Sequence, residues 1–405
     1  MPWRETSPMN ERIRFVGDFQ HGLLSMTELC ERYQISRKTG YKWLDRCEEE
    51  GARGLEERPR KPRHCPHKTP EHIEREIVQA RLRHPCWGAK KLLALLQRRH
   101  PDWTWPAIST VADLLKRNAL VTKSRRRPRQ GHPGKPDTPM DRPNAVWTTD
   151  FKGEFKTLDG FYCYPLTVAD GYSRFLLGCQ GLHSTSSENS KPVFIGLFKE
   201  YGLPDIMRSD NGVPFATTAI ARLSKLSVWW IRLGIFPELI EPAHPQQNGR
   251  HERMHRTLKG ETTRPPAANL RAQQYRFNNF RYEFNHLRPH EAIDLKPPAS
   301  LYTPSNKPYP AKLPPLEYPD HFEVRYVSAN GGIRWKSRWV NVSQTLTAQY
   351  VGVEEIDDGI WSVYFGPIEL GRVDERDFRI EDILGRKSRK KTGLYRWCGQ
   401  EVVAK

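Results

Sequence analysis

Three acidic residues, each in a separate apolar stretch of the chain, have the character of a carboxylate site. Asp150 lies within VWTTDFKGEF, and Asp210 ends the apolar run in LPDIMRSDNGVPF. Glu252 lies in EPAHPQQNGRHERMHRTLKGE, about one turn into a helix predicted to begin near Asn248. If the fold draws these acids together, their charges repel unless a cation lies between them. Two divalent cations roughly 4 Å apart can stabilise the attacking and leaving oxygens of a phosphoryl transfer, which is the chemistry that the three acids indicate.

The residues after Glu252 add cations that suit a phosphate backbone. Arg256 and Lys259 come four and seven residues after Glu252, so the three side chains share one face of the predicted helix. That face would offer a metal ligand and two phosphate-binding cations. A DNA strand fits this combination.

The sequences around the three acids resemble the DDE catalytic signature of insertion-sequence transposases and retroviral integrases. The matching segments are WTTDFKG, SDNGVPF and HPQQNGRHERMHRTLK, and the resemblance is strong across 143–301. The flanking modules occur in the order seen in bacterial insertion-sequence transposases. The resemblance implies a ribonuclease-H-like fold, DNA strand transfer and two Mg²⁺ ions, with Mn²⁺ as a substitute. It makes Asp150, Asp210 and Glu252 both the catalytic residues and the metal ligands.

The interval between Asp210 and Glu252 departs from the family pattern, because it is longer than usual. We interpret the excess as a longer loop across 229–245 that leaves the motif intact. Two Asp-Gly pairs, at 159–160 and 170–171, lie between apolar runs and are predicted to form hairpin turns, not metal sites.

Composition points to a polyanionic partner. The chain has 405 residues, a formal net charge of +18 and a pI near 9.6, so it is long enough for several domains and basic enough to gain affinity by releasing the counterions of DNA. No apolar run approaches the roughly 20 residues of a membrane-spanning helix, and MPWRETSPMNER lacks the apolar segment of a signal peptide. We expect no membrane partner and a soluble, cytoplasmic protein associated with the bacterial nucleoid.

Seven cysteines are scattered along the chain without a Cys-x-x-Cys pair, so a disulfide scaffold is not expected. His64, Cys65, His67 and Cys86 invite a zinc interpretation, but their spacing fits no standard finger. We favour a basic linker followed by an ordinary helical cysteine.

The N-terminal region, 1–57, is predicted to be a helix-turn-helix DNA-binding domain. Helices are expected at 27–33 and 37–49, with the turn at 34–36. The second helix would present Arg37, Lys38, Thr39 and Lys42 to DNA. The alternative is a helical hairpin whose charges are only solvated.

A basic linker at 58–69 leads to a second helix-turn-helix-like domain at 70–121, for which a purely structural helical bundle remains the alternative. A second basic linker follows at 122–142, where Arg125, Arg126 and Arg127 are predicted to contact DNA.

The central region, 143–301, is predicted to be the catalytic core. Its pattern favours three consecutive strands at 145–152, 162–168 and 174–181, a helix at 187–201 and a strand at 205–209. Helices follow near 217–226, 248–259 and 270–287, with 228–232 a possible last strand. This is the order of a ribonuclease-H-like sheet, which would bring Asp150 and Asp210 together at its middle.

The C-terminal region changes character twice. A proline-rich connector at 302–320 precedes short alternating strands at 321–381, which we predict to form a small β-barrel, and a basic tail follows at 382–405. The predicted fold class is therefore multidomain, with N-terminal all-α helix-turn-helix modules, a central α/β ribonuclease-H-like domain and a C-terminal small β-barrel.

These observations predict a transposase that binds the terminal inverted repeats of its element and cleaves and joins DNA by two-metal phosphoryl transfer. Asn211, His255, Arg256 and Lys259 would position the DNA. The expected partners are double-stranded DNA, both element ends and target, and further copies of the chain, at least a dimer. Two alternatives stay open, namely a non-transposing DNA-binding regulator that retains the fold and a ribonuclease-H-type nuclease.

Overall fold

The structure is a computed structural model that describes residues 7–58, 68–121, 138–240 and 249–382, together with 385 and 387. The predictions made for Arg125, Arg126 and Arg127 lie outside the described residues, as do those for His64, Cys65 and His67 and for most of the basic tail. The chain divides into two units, 1–69 and 70–405.

Capping residues set the helix boundaries of the first unit. The described part of this unit contains α1 (Pro8–Gln20), α2 (Met26–Arg32), α3 (Arg37–Glu50) and a 3₁₀ turn (Gly51–Leu55). Ser25 and Glu28 cap α2 reciprocally, and the Ser36 side chain accepts a hydrogen bond from the Thr39 N–H at the start of α3. The predicted helix-turn-helix order, with its turn at 34–36, is confirmed.

The three helices share a small core around Phe15, Leu29 and Trp43. Gly40 permits the close approach of α3, because a Cβ there would lie 2.8 Å from the Cys30 Sγ. This contact fixes α3 against α2 and leaves the opposite side of α3 exposed.

The second unit begins with α4 (Glu71–Arg83), α5 (Ala89–Arg99) and α6 (Ile108–Arg117). Apolar residues at helical spacing, including Ile77, Leu92 and Val111, are fully buried between them. The Arg98 side chain donates a hydrogen bond of 2.8 Å to the Leu287 carbonyl, and Leu287 packs against the same cluster. These helices therefore contact the central region directly.

A mixed sheet forms the centre of the second unit. Its strands are β1 (Val146–Phe151), β2 (Phe155–Lys156), β3 (Tyr162–Asp170), β4 (Leu176–Leu182), β5 (Ile206–Ser209) and β6 (Phe236–Leu239). The order is β2-β3-β1-β5-β6, with β4 also paired to β3. β1 is antiparallel to β3 and parallel to β5, and β5 is parallel to β6. The predicted strand order of the central α/β region is confirmed, whereas the helix predicted near 217–226 is replaced by a 3₁₀ turn (Ile220–Arg222) and a helix that begins at Lys225.

Helices cover both faces of this sheet. They are α7 (Ser187–Tyr201), α8 (Lys225–Arg232), α9 (Gly249–Thr262) and α10 (Leu270–Tyr282), with a π-helical turn (Glu283–Leu287) after α10. One face buries Trp147, Phe198 and Trp230 beneath α7 and α8. The other buries Leu258 and Phe277 beneath α9 and α10.

The long interval after Asp210 is not the loop that we predicted. Residues 225–232 form α8, so the possible strand at 228–232 and the loop beginning at 229 are both wrong, and the strand lies later, at β6. Leu226 to Ile231 are all buried. A helix buried on every side loses the amphipathic period that distinguishes it from a buried strand.

The C-terminal part contains β7 (Glu323–Tyr326), β8 (Gly332–Trp335), β9 (Arg338–Asn341), β10 (Tyr350–Asp357), β11 (Ile360–Phe365), β12 (Ile368–Asp374) and β13 (Arg379–Glu381). Five of these form the sheet β13-β12-β11-β10-β7, and β8 and β9 form a separate pair. The described residues do not form a closed barrel, so the predicted barrel is not confirmed. Val353 and Phe365 share a core with Val228 and Ile231 of α8. Among the described residues no helix combines the length and apolar character needed to span a lipid bilayer.

Candidate active site

The parallel pairing of β1 and β5 determines where the two aspartates lie. Thr148 of β1 is paired with Arg208 of β5. Asp150 and Asp210 each come two residues later, so the same register carries both to the carboxyl ends of neighbouring strands. Side chains of a strand alternate between the two faces of a sheet, so Asp150 shares a face with Thr148 and Asp210 shares a face with Arg208.

Burial and a neighbouring negative charge raise the pKa of Asp150. Burial raises the pKa of Asp150 to about 7, and the Asp210 carboxylate adds to this increase, with a smaller contribution from Glu252. Burial also raises the pKa of Asp210, against the opposing effect of a 3.1 Å hydrogen bond from the Gly212 N–H. Two buried carboxylates, one of which raises the pKa of the other, favour a shared cation.

Helix α9 approaches this pair through two histidines on one face. His251 and His255 are buried, and their rings lie 4.7 Å apart. The His255 Nδ1 lies 3.7 Å from an Asp150 carboxylate oxygen. Burial lowers the pKa of His251 to about 3 and that of His255 to about 2, so both imidazoles are neutral near pH 7. His255 therefore supplies no positive charge to Asp150.

The Thr167 hydroxyl joins α9 to the strands. It donates a 2.9 Å hydrogen bond to the Asp150 carbonyl and lies 2.6 Å from the His251 Nε2 and 2.7 Å from the His255 Nε2. A hydroxyl has one proton and two lone pairs. Since the proton goes to a carbonyl, both imidazoles must donate their Nε2–H to Thr167. The Thr148 hydroxyl donates to the Ala169 carbonyl at 3.2 Å, and its oxygen lies 3.0 Å from the His251 Nδ1.

The side chains of Asp150 and Asp210 provide part of the ligand set that a divalent cation requires. Among the described residues, no three His, Cys, Asp or Glu side chains form a ready metal cluster. The Asp150 and Asp210 pair nevertheless has the right chemistry, because both are hard oxygen donors. Neither forms an ion pair with Lys or Arg in the part of the chain that the structure describes, and the imidazole beside Asp150 is neutral. Glu252 is exposed on α9. His251 and His255 attach this helix to β1 and β3.

The other residues predicted to position DNA divide into two groups. Arg256 and Lys259 are exposed on α9. Asn211 instead bonds within the protein, donating to the Ile240 carbonyl at 2.8 Å and accepting from Arg222 at 3.1 Å. His255 is buried at the Thr167 junction, so its side chain supports Asp150 from within the fold and does not face solvent.

Helix α3 presents most of the predicted reader residues. Arg37, Lys38 and Lys42 are exposed, and the Lys42 ammonium lies 4.3 Å from the centre of the Trp43 ring. Thr39 differs, because its hydroxyl lies 2.9 Å from the Ser36 Oγ at the helix cap. The Thr39 hydroxyl therefore already has a hydrogen-bond partner within the protein.

Thr148, Thr167 and His251 were missed by the sequence interpretation. Their only sequence signal is spacing. His251 and His255 lie four residues apart on α9, and Thr148 and Asp150 lie two apart on β1. Nothing local connects Thr167 to either segment.

Two family models described as "Integrase core domain" match the central region, at residues 140–245 and 233–298. The first includes Asp150 and Asp210, and the second includes Glu252. The chain contains an integrase core. A "Helix-turn-helix domain" model matches residues 11–63, and a "Homeodomain-like domain" model matches 39–115. The integrase core and these N-terminal matches support a DDE transposase- or integrase-like protein.

Curated proteins similar to this chain include retroviral polyproteins. The chain is 28% identical over 177 residues to the Gag-Pol polyprotein of baboon endogenous virus, which covers 44% of this chain and 10% of that protein. It is 25% identical over 274 residues to the Pol polyprotein of radiation murine leukemia virus, covering 65% of this chain and 41% of that protein. The chain thus spans less than half the length of these relatives.

Solved structures similar to this chain include the HTLV-2 integrase catalytic core domain in complex with magnesium. This match has 15% identity and a TM-score of 0.32, and it covers 40% of this chain and 97% of that chain. The simian T-cell lymphotropic virus intasome in complex with a PP2A regulatory subunit matches at 15% identity and a TM-score of 0.35. It covers 73% of this chain and 97% of that chain.

Proposed function

We propose that the chain is a DNA transposase that cleaves and joins DNA strands, with Asp150, Asp210 and Glu252 as its catalytic residues. The observation that carries the proposal is the β1–β5 register, which supports a carboxylate pair at the strand ends inside an integrase core. The helix-turn-helix match supports DNA binding by the first unit, and we assign the terminal inverted repeats of the element as its ligand. The proposed setting is a bacterial cell, with at least two copies of the chain acting on paired ends.

The protein residues have distinct proposed tasks. Asp150 and Asp210 hold divalent metal, two Mg²⁺ ions with Mn²⁺ as a substitute, and Glu252 completes the ligand set. When bound, such ions polarise phosphate oxygens and stabilise charge on the attacking and leaving oxygens. Arg256 and Lys259 bind phosphates beside the acids. His251, His255 and Thr167 hold α9 against the strand that carries Asp150.

The proposed reaction has two substitutions at phosphorus. In the first, an oxygen of water bonds to the phosphorus at the element end, the bond to the 3′ oxygen breaks, and a 3′ hydroxyl is released. In the second, this hydroxyl bonds to a target phosphorus and displaces the target strand's own 3′ oxygen. In each step the attacking oxygen loses one proton and the leaving 3′ oxygen gains one, so neither step needs an oxidant or a reductant.

The test compares Asp210→Asn with the parent chain on DNA that carries the sequences flanking the coding region. We expect Asp210→Asn to bind this DNA normally and to lose Mg²⁺-dependent nicking and joining, because the amide keeps the shape of the side chain but removes its charge. Mn²⁺ binding, measured by electron paramagnetic resonance, should weaken in parallel. Asp358→Asn, in an exposed hairpin turn, is the matched control and should behave as the parent.

Ordinary joining by Asp210→Asn would exclude the mechanism. Specific DNA binding without any nicking by the parent chain would favour the non-transposing regulator. Cleavage confined to RNA/DNA hybrids would favour the ribonuclease-H-type nuclease.

A further inference from the structure

A second concentration of positive charge lies on the side of α9 away from Glu252. A cavity of about 620 Å³ opens there, bordered by α5, the β3–β4 turn, α9 and the segment after α10. Five cationic side chains line it, namely Lys91, Arg174, Arg250, Arg253 and Arg288. The candidate active site does not use any of them.

The acids that line this cavity are already engaged. Asp170 accepts hydrogen bonds from the Asn144 N–H at 2.8 Å and from the Ser173 N–H and hydroxyl at 2.8 and 2.6 Å. Glu291 lies 3.7 Å from the Lys90 ammonium. Asp170 attracts Arg174 and Glu291 attracts Lys91, so these two carboxylates offset part of the charge of the five cations and leave an excess of positive charge.

Among the described residues, two of the five cations have donors or charge without a partner, and two others are held by hydrogen bonds. The Arg174 Nε is buried without a hydrogen-bond partner among the described residues. Arg253 is exposed at the cavity rim, and the described residues give its guanidinium no ion pair. Arg250 donates to the Gly171 carbonyl at 2.7 Å, and Arg288 donates to Glu261 at 2.8 Å, which fixes both guanidinium groups in place.

The cations also oppose one another electrostatically. Burial lowers the pKa of Arg174 to about 10, and the charges of Arg250 and Arg253 add to the decrease. Burial and Arg288 likewise lower the pKa of Lys91. Like charges held together in this way gain stability when an anion enters between them.

We propose that this cavity binds phosphate, and that the phosphate belongs to the backbone of the DNA on which the proposed function acts. Guanidinium groups offer paired N–H donors that match phosphate oxygens. The amino-terminal end of α9, at Gly249, also lines the cavity and adds the positive end of a helix dipole.

The position of the cavity gives this phosphate a particular consequence. Lys91 comes from α5, whereas Arg253 comes from the helix that carries Glu252. A phosphate held by both would connect the helical group at 71–117 to the helix of the candidate active site. Binding of the element end would then help to fix the position of Glu252.

The test measures the affinity of the full chain for duplex DNA between 0.05 and 0.3 M salt, roughly the range in which counterion release is resolved, without divalent cations. We expect Arg253→Gln to lower the slope of log Kd against log salt by about 1, which is a weakening of about 5-fold at 0.15 M salt. Lys91→Gln should act similarly from the opposite wall. Arg253→Lys should keep the slope, because it keeps the charge, and Arg271→Gln on α10 is the matched exposed control.

A second arm identifies the source of the phosphate. Pyrophosphate should raise the thermal unfolding temperature of the parent chain and do so less in Arg253→Gln and Lys91→Gln. If these variants lose this increase but keep the DNA slope of Arg271→Gln, the site binds free phosphates and the DNA assignment is overturned. If both measurements match Arg271→Gln, the phosphate site itself is overturned.

Failure of this proposal is distinguishable from failure of the proposed function. Binding is measured without metal, so its outcome does not depend on cleavage by Asp210. If the chain did not bind duplex DNA, the proposed function would fail, while the pyrophosphate arm would still test the cavity.

Discussion

Thr167 uses its whole hydrogen-bonding capacity where β1, β3 and α9 meet. Its proton goes to the Asp150 carbonyl, and its two lone pairs accept from His251 and His255. The hydroxyl thus connects β1, which carries Asp150, to α9, which carries Glu252. Neither histidine can rotate away without leaving a buried N–H unpaired, at a cost of about 1 to 3 kcal/mol.

Thr167→Val should therefore reduce cleavage more than DNA binding. The valine methyl cannot accept the two imidazole protons, so α9 should shift relative to β1. A displacement on the order of 1 Å can slow a positioned reaction by about 100-fold. We expect a loss of roughly 10- to 100-fold in kcat, with the Kd for DNA within about 3-fold of the parent.

Thr167→Ser is the matched control, because it keeps the hydroxyl and should recover most of the rate. The comparison uses single-turnover cleavage together with a band-shift titration. Equal rates for the Val and Ser variants would show that the hydroxyl does not position α9.

At the scale of elements, α9 carries two functional groups of side chains on different faces. One face carries Glu252, Arg256 and Lys259, and Arg250 and Arg253 line the basic cavity on another. In the first unit α3 has a similar division, since Trp43 and Gly40 face the core and Arg37, Lys38 and Lys42 face outward. Such helices can bind DNA without loss of core contacts.

Replacing two cations of α3 should weaken DNA binding without unfolding the helix. Arg37→Gln combined with Lys38→Gln removes two exposed charges and leaves the Ser36 cap intact. We expect the salt slope of binding to fall by about 2 and helical circular dichroism to stay unchanged.

Lys225→Gln, an exposed lysine of α8, is the control for this double variant. If the salt slope of the double variant matched that of Lys225→Gln, α3 would not be a DNA-contacting helix. The helical hairpin with solvated charges would then be the better interpretation.

At the scale of the whole molecule, buried histidines oppose buried aspartates in the response to pH. Burial, and then Lys91 and Arg288, lower the pKa of His290 to about 3. The unfolded chain therefore binds a proton between about pH 6.5 and 3 that the folded chain does not, and acidification destabilises the fold. Asp150, with its pKa raised to about 7, binds its proton in the folded state and acts in the opposite direction.

The contribution of His290 should be visible as a difference between variants. Its share of the stability is present above about pH 6.5 and falls by roughly 2 kcal/mol at pH 5. His290→Phe, which can retain the contact with Phe284, should lose less stability than the parent between pH 7 and 5. Urea unfolding at both values measures the difference, and identical losses would contradict the assignment.

Local sequence determined much of the architecture. Helical spacing and capping residues such as Ser25 and Ser36 specify α2 and α3, because these interactions join residues within four positions of one another. Alternating and apolar runs specified the order of the central strands. The choice of Asp150, Asp210 and Glu252 as the catalytic set also came from sequence alone and stays a prediction.

Only the tertiary structure decided how these segments meet. The contact of Thr148 with His251 spans 103 positions, and the two contacts of Thr167 with the histidines span 84 and 88, so no local pattern encodes them. The helical state of α8 was not evident from the sequence because Leu226 to Ile231 are all buried, and the basic cavity arises where residues of α5 and α9 line one space. Strand register, helix docking and cavity shape arise from contacts between distant residues, whereas secondary structure and motifs arise from neighbours along the chain.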